Sequence, residues 1–310
     1  MPLSFREMTG QLTRRSLLAG GAGLAACNKK PKGNPYAGRW EGKLTNDLSS
    51  VMLQADFLER APNELELRFT ARDFFFAAQP IQTWSIEGNA FSLTLPFVEG
   101  ERAFKGFFSG PTFDVVSEAS GEKLHVRQLG RVPALPYKEA GPESLTPSIR
   151  AVRAKAKLLG PRATLRRFHA DLLARLGIAS QTEDTAGAGW LFVEDQEIPK
   201  PKADLPFAIF VSPAYEQIRA IAAYTCPLFV LLGESDERFV KLPRGTRQVA
   251  YDLREALTKQ GRTMDTFQIS VAPKADQLLR VKGFGKEYPR LVPNYLDYFK
   301  RFFGRFGVEG

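Results

Sequence analysis

Few residues in this chain are equipped for chemistry. Its 310 residues include only two histidines, His125 and His169, and two cysteines, Cys27 and Cys226. Acyl transfer through a serine needs a hydroxyl held on a sharp turn, commonly within Gly-x-Ser-x-Gly, and a histidine to take its proton. No Gly-x-Ser-x-Gly occurs: residues 233–237, Gly-Glu-Ser-Asp-Glu, lack the second glycine. Ser212 follows the apolar run 207–211, as a nucleophile might follow a strand, but has no glycine beside it. His125 falls on a strand-like segment and His169 on an amphipathic one, so both are expected in structural or surface roles. Two separated histidines and one spare thiol make no metal cluster, and the sequence implies no cofactor. Cys226, just before Pro227 at the head of an apolar run, is expected as a small buried hydrophobe.

The best-formed chemical signal lies at the N-terminus. Residues 13–19, Thr-Arg-Arg-Ser-Leu-Leu-Ala, resemble a twin-arginine export signal built on Arg14 and Arg15. The apolar stretch 17–26 is too short to span a bilayer, which takes about 20 residues. Leu24-Ala25-Ala26-Cys27 resembles a lipobox, whose thiol accepts diacylglycerol. The expectation is a signal peptide over 1–26 and a mature chain beginning at acylated Cys27. It would be held by membrane lipid on the extracytoplasmic face of a bacterial envelope. Residues 27–36, rich in Lys, Pro and Gly, form a polar tether. With Cys27 acylated, Cys226 has no disulfide partner.

Net charge is +9, and the basic residues are scattered rather than gathered in one stripe. Nucleic-acid readers concentrate basic and aromatic residues on one face, so that class of partner is not expected. Anionic phospholipid headgroups are the simpler counterpart of a basic exported protein. With 44% hydrophobic and 25% charged residues the chain is composed like a globular protein.

The elements that would position these residues fall into two parts, a mixed fold. Residues 37–130 read as eight short strands, at 39–45, 51–58, 64–69, 83–86, 91–95, 103–108, 113–116 and 123–128, several alternating apolar and polar. An antiparallel meander closed into a small barrel removes its edges. Phe74-Phe75-Phe76 reads as core plus a bulge. A proline-bearing linker covers 131–147. Residues 148–204 read as helices over 149–159 and 165–176, then an irregular loop from 185 to 205. From 205 to 310, strands at 207–211, 227–232 and 266–272 alternate with helices at 246–260 and 291–303, which implies a parallel sheet.

Residues 226–236, Cys-Pro-Leu-Phe-Val-Leu-Leu-Gly-Glu-Ser-Asp, then a helix, then Val271-Ala272-Pro273-Lys274-Ala275-Asp276, Tyr288-Pro289 and a terminal helix, resemble the C-terminal third of α/β-hydrolases of the secreted esterase and dipeptidyl-aminopeptidase-like group. Gly38-Arg39-Trp40-Glu41-Gly42-Lys43-Leu44, with Gly106 and Gly110, resembles the β domain that precedes the catalytic domain in some of them. The resemblance implies that Asp236 is a remnant of the triad acid and that Gln277 stands where the family has its histidine. A glutamine has no basic nitrogen and relays no proton. Without base and nucleophile, Asp236 is expected to cap a loop or pair with Arg238. About 90 residues separate Tyr137 from the acid strand; read as helix and loop, they leave the N-terminal half of a hydrolase sheet absent. The leading expectation is a non-catalytic lipoprotein that binds a protein or an apolar ligand. The alternatives are a serine-type hydrolase with an unorthodox or subunit-completed site, and a β domain carrying a small lipid in an open apolar interior.

Overall fold

The computed structural model describes residues 34–61, 64–129, 153–181, 183, 185–194, 196–283 and 287–307. Arg14, Arg15, Cys27 and the linker at 131–147 lie outside the described residues.

Nine antiparallel strands make the first domain: β1 (Gly38–Thr45), β2 (Ser50–Ala61), β3 (Glu64–Ala71), β4 (Phe76–Pro80), β5 (Trp84–Glu87), β6 (Ala90–Phe97), β7 (Gly100–Ser109), β8 (Thr112–Val116) and β9 (Lys123–Gln128). Each pairs with its sequence neighbour, except that the ladder stays open between β4 and β5, and β1 pairs with β9 as a barrel requires. Alternation decides which face is inside: in β6, Phe91, Leu93, Leu95 and Phe97 are buried while the residues between them are not. Curvature is sharp where glycine stands in a strand. A Cβ at Gly42 would meet the His125 carbonyl oxygen at 1.9 Å, and one at Gly106 that of Asp114 at 1.8 Å.

The interior is filled by rings. Trp40, Phe57, Phe91, Phe108 and Phe113 are all buried, with centroid separations of 4.9–6.3 Å, and Phe57 on β2 reaches Phe91 on β6 across the sheet at 6.0 Å. That packing corrects the expectation of an open interior for a lipid, because the aromatic volume occupies it.

The second domain holds a six-stranded, wholly parallel sheet in the order β11-β10-β12-β13-β14-β15. Its strands are β10 (Ala154–Leu159), β11 (Ile178–Gln181), β12 (Ala188–Val193), β13 (Ala208–Val211), β14 (Leu228–Gly233) and β15 (Phe267–Ala272). Helices α1 (Ala163–Arg175) and α4 (Tyr295–Phe306) cover one face through Phe168, Leu172, Phe299 and Phe302. Helices α2 (Ile218–Ala222) and α3 (Thr246–Lys259) cover the other through Ile221, Val249, Leu253 and Leu257. Both faces being covered, β12, β13 and β14 are buried at every position.

Two sequence expectations are corrected. The helix over 149–159 is strand β10 from Ala154 onward, and the loop from 185 to 205 contains β12. With β11 they supply three strands where helix and loop were expected, so the sheet is not missing that half.

The domains meet at the phenylalanine triple. Phe75 adopts φ 60°, which turns it away from its neighbours. Phe74 and Phe76 enter the barrel core, whereas Phe75 packs edge-on against Phe168 of α1 at 5.2 Å. Tyr288 joins the barrel from the other side: its hydroxyl donates to Glu122 at 2.9 Å and its ring meets Phe74 at 5.3 Å.

Candidate functional site

In a parallel α/β sheet, groups that act on a ligand gather outside the C-terminal strand ends, at the point where the strand order reverses. Here the reversal falls between β10 and β12, because β11 lies on one side of β10 and all later strands on the other. The two chain ends at that point are Gly160-Pro161-Arg162 and Glu194. They approach closely, and a Cβ on Gly160 would meet the Val193 carbonyl oxygen at 2.7 Å.

Glu194 follows β12 with φ 69°, a left-handed conformation that a residue with a side chain adopts at a cost of roughly 1–3 kcal/mol. Its side chain is buried; Oε1 faces Arg162 Nη1 at 3.3 Å and Oε2 has no hydrogen-bond partner among the described residues. Burial raises its proton affinity above the ordinary carboxylate range, against the opposing pull of Arg162 and Arg238. One strand over, Ser212 follows β13 with φ 52°; it too is buried, and its Oγ has no partner among the described residues. Ladder register places the two side by side, since Val193 pairs with Val211 and the Glu194 amide donates to the Val211 carbonyl at 3.2 Å.

Asp236 follows β14 and is closed off. Its Oδ1 accepts from the Arg238 amide at 3.0 Å, and the Arg238 guanidinium grips both carboxylate oxygens, the shortest contact being Nη2 to Oδ2 at 2.7 Å. The same Nη2 donates to the Ser212 carbonyl at 3.0 Å, so Arg238 ties the β13 exit to the β14 exit. The Asp236 side chain is 0% exposed. Gln277 lies half-buried in the turn after β15, a turn capped by Asp276, whose Oδ1 accepts from the amides of Leu278 and Arg280 at 2.8 Å each. That turn rests on the β14 exit, with the Ser235 amide donating to the Ala275 carbonyl at 2.8 Å. No hydrogen bond between the side chains of Asp236 and Gln277 is present among the described residues.

Neither histidine comes to this edge. His169 is buried between α1 and α4, where Nδ1 contacts the Leu165 carbonyl at 2.8 Å and Nε2 the Tyr295 hydroxyl at 2.7 Å. Burial pushes its pKa down to about 4, so the ring is neutral, its Nδ1 donating and its Nε2 accepting. His125 is exposed on β9 and pairs with Asp114. Cys226 is buried, and burial pushes its thiol up to about 11, far from a thiolate at neutral pH.

Arg162 and Glu194 are absent from the sequence reading. Their signal was the continuous apolar run 188–193 ending in an acid, which reads as a buried strand once the run of six is weighed apart from its polar flanks. After Glu194, no helix occurs among the described residues before β13. The segment instead runs along the α2 side, where Tyr224 Oη donates to the Pro199 carbonyl at 2.9 Å.

No protein-family model matches the chain, and a comparison with curated proteins found no match. Among solved structures, a cold-adapted esterase from an Arctic intertidal metagenomic library is 12% identical, covering 74% of this chain and 98% of its own at a TM-score of 0.32. A thermostable esterase is 10% identical, with 88% and 91% covered and a TM-score of 0.32. The acylaminoacyl peptidase of Pyrococcus horikoshii is 9% identical, with 79% and 63% covered and a TM-score of 0.30. Scores this low decide nothing about the chemistry; the architecture, an antiparallel β domain followed by a parallel α/β domain, rests on the chain's own strand order.

Proposed function

We propose that this chain is a membrane-anchored, extracytoplasmic bacterial lipoprotein whose hydrolase-like α/β domain binds a protein or an apolar ligand rather than cleaving it. The observation that carries the reading is the pair of strand ends where a hydrolase would keep its nucleophile and acid. At the switch point stands Glu194, buried against Arg162 on a left-handed turn of the kind that would present a nucleophile. Asp236 is held by Arg238 rather than offered to a base. A nucleophile elbow leads into a helix whose N-terminus helps to stabilise an oxyanion; the segment after Glu194 supplies none among the described residues. Anchoring rests on the Arg14-Arg15 signal and on Cys27 of the lipobox.

Two measurements test this. The purified protein should turn over p-nitrophenyl esters and aminoacyl-anilides no faster than its Asp236→Asn variant; robust turnover that Asp236→Asn abolishes would overturn the binding role. Cells fed radiolabelled palmitate should label the wild-type chain and not Cys27→Ala, and equal labelling of both would remove the anchor.

One feature favours a second reading, a serine-type hydrolase working through Ser212. Its backbone is left-handed, its Oγ has no partner among the described residues, and a carboxyl of raised proton affinity stands beside it. Against it, Ser212 is 1% exposed, which leaves no path for an acyl group to reach the hydroxyl.

A further inference from the structure

The outer face of the barrel where β1, β9, β8 and β7 run side by side has a composition unlike the rest of that domain's surface. Ladder register sets its side chains in two adjacent rows. One runs Lys43, His125, Asp114, Phe107; the next runs Thr45, Lys123, Val116, Lys105. Strands about 4.8 Å apart make this a patch on the order of 15 Å wide. Phe107 is 66% exposed and Val116 41%. Phe107 stands opposite Asp114 on β8 and two residues along β7 from Lys105. Lys43, Lys105, Lys123 and the neighbouring Arg127 form no ion pair among the described residues. The exposed acidic residues on these strands are Glu41, opposite Arg127, Glu101 on β7, and Asp114, already engaged by His125. On β2 and β3 the charges are paired: Asp56 with Arg39 of β1, and Glu66 with Arg60 and Arg68.

The segment before β1 packs on the barrel's interior cluster at one end. Tyr36 packs on the inward-facing Phe108 at 4.4 Å, and Gln128 at the end of β9 donates to the carbonyls of Pro35 and Ala37 at 3.3 Å. From Asn34 back to Cys27 is seven residues, at most about 25 Å when extended. With Cys27 acylated, that length limits how far the folded part can stand from the bilayer.

We propose that the β7–β8–β9–β1 face is the surface that lies on the membrane, its lysines and Arg127 set against anionic phospholipid headgroups and Phe107 inserted at the interface. The proposal rests on the reading of Cys27 as acylated for its orientation, while the contact itself is testable without the acyl chain.

The test uses the mature chain, residues 27–310, carrying Cys27→Ser, with vesicles of phosphatidylglycerol or of phosphatidylcholine. Partition into phosphatidylglycerol vesicles is expected, at least tenfold weaker for the Lys43→Glu/Lys105→Glu/Lys123→Glu variant and weakened again by Phe107→Ser. A triple reversal of the same charge elsewhere, at the exposed Arg219, Lys241 and Arg254, should stay within about twofold of the parent. Phe107→Trp fluorescence should be quenched by brominated phosphatidylglycerol. Equal losses from both triple variants, equal binding to phosphatidylcholine, an unquenched Trp, or binding of duplex DNA without vesicle binding would each overturn the proposal. Unchanged thermal unfolding of the variants separates lost contact from lost fold. Palmitate labelling at Cys27 reports the anchor independently, so a failed anchor and a failed face give different results.

Discussion

Asp236 and Glu194 are carboxyls at the same edge of one sheet, two strands apart, and their surroundings make opposite uses of burial. Asp236 is wholly enclosed and every approach to it is filled, by the Arg238 guanidinium and by a backbone amide. Glu194 is nearly as deep, but only Oε1 has a partner, at 3.3 Å, and that partner, Arg162, is half-exposed. A carboxyl closed by a forked guanidinium braces the loops around it. One left half-satisfied keeps a high proton affinity and remains available. The residue that the hydrolase resemblance singles out is thus the structural one, and the residue it passes over is the one with unspent hydrogen-bonding capacity.

The largest expected effect breaks this contrast. Arg238→Met leaves the Asp236 charge buried without its partner and should cost about 3–5 kcal/mol in denaturant unfolding. Arg162→Met, which removes a half-exposed partner at longer range, should cost no more than about 1 kcal/mol. Equal costs would dissolve the distinction between the two carboxyls.

The contrast extends to His169, a buried group that is fully satisfied while neutral. Its pKa lies below the value of the unfolded chain, so the unfolded state takes up protons first as pH falls from 6.5 toward 4, and the native state loses stability across that window. The loss should reach about 3 kcal/mol by pH 4, and His169→Leu should flatten that part of the stability–pH curve. Tyr295→Phe removes the hydroxyl that serves Nε2 and should lower stability by about 1–3 kcal/mol at neutral pH.

Glu194→Gln should have the smallest effect, within about 1 kcal/mol, and its sign is informative. A carboxyl whose folded pKa is raised destabilises the native state as pH climbs above the ordinary carboxylate value of 4.5. The variant should therefore equal or exceed the wild type at pH 7 and lose that advantage toward pH 4. A variant less stable at pH 7 than at pH 4, relative to wild type, would mean that Glu194 is held as a charge.

How much of this was legible in the sequence depended on the kind of sheet. In the antiparallel domain, strands with one wet face announce themselves by alternation, as 91–97 do, and eight of nine were readable. The ninth, β4, is Phe-Ala-Ala-Gln-Pro, buried over its first three residues and without alternation. In the parallel sheet the period of two disappears because both faces are covered. Residues 154–159, Ala-Lys-Ala-Lys-Leu-Leu, favour helix by composition and are strand because the sheet recruits them, an override of local propensity by packing. At the site, Asp236 stood out through the resemblance of residues 226–236 to the acid strand of α/β-hydrolases. Glu194 did not, because its defining property is a backbone angle and a neighbour 32 positions earlier in the chain.

The central claim, that this strand edge binds without cleaving, meets its most direct test in fluorophosphonate labelling of the intact protein, read by peptide mass spectrometry. The account predicts no adduct on Ser212 or on any other serine at the edge, with or without Asp236→Asn. A stoichiometric adduct on Ser212 that disappears in Glu194→Gln would contradict it and establish a serine–glutamate hydrolase in its place.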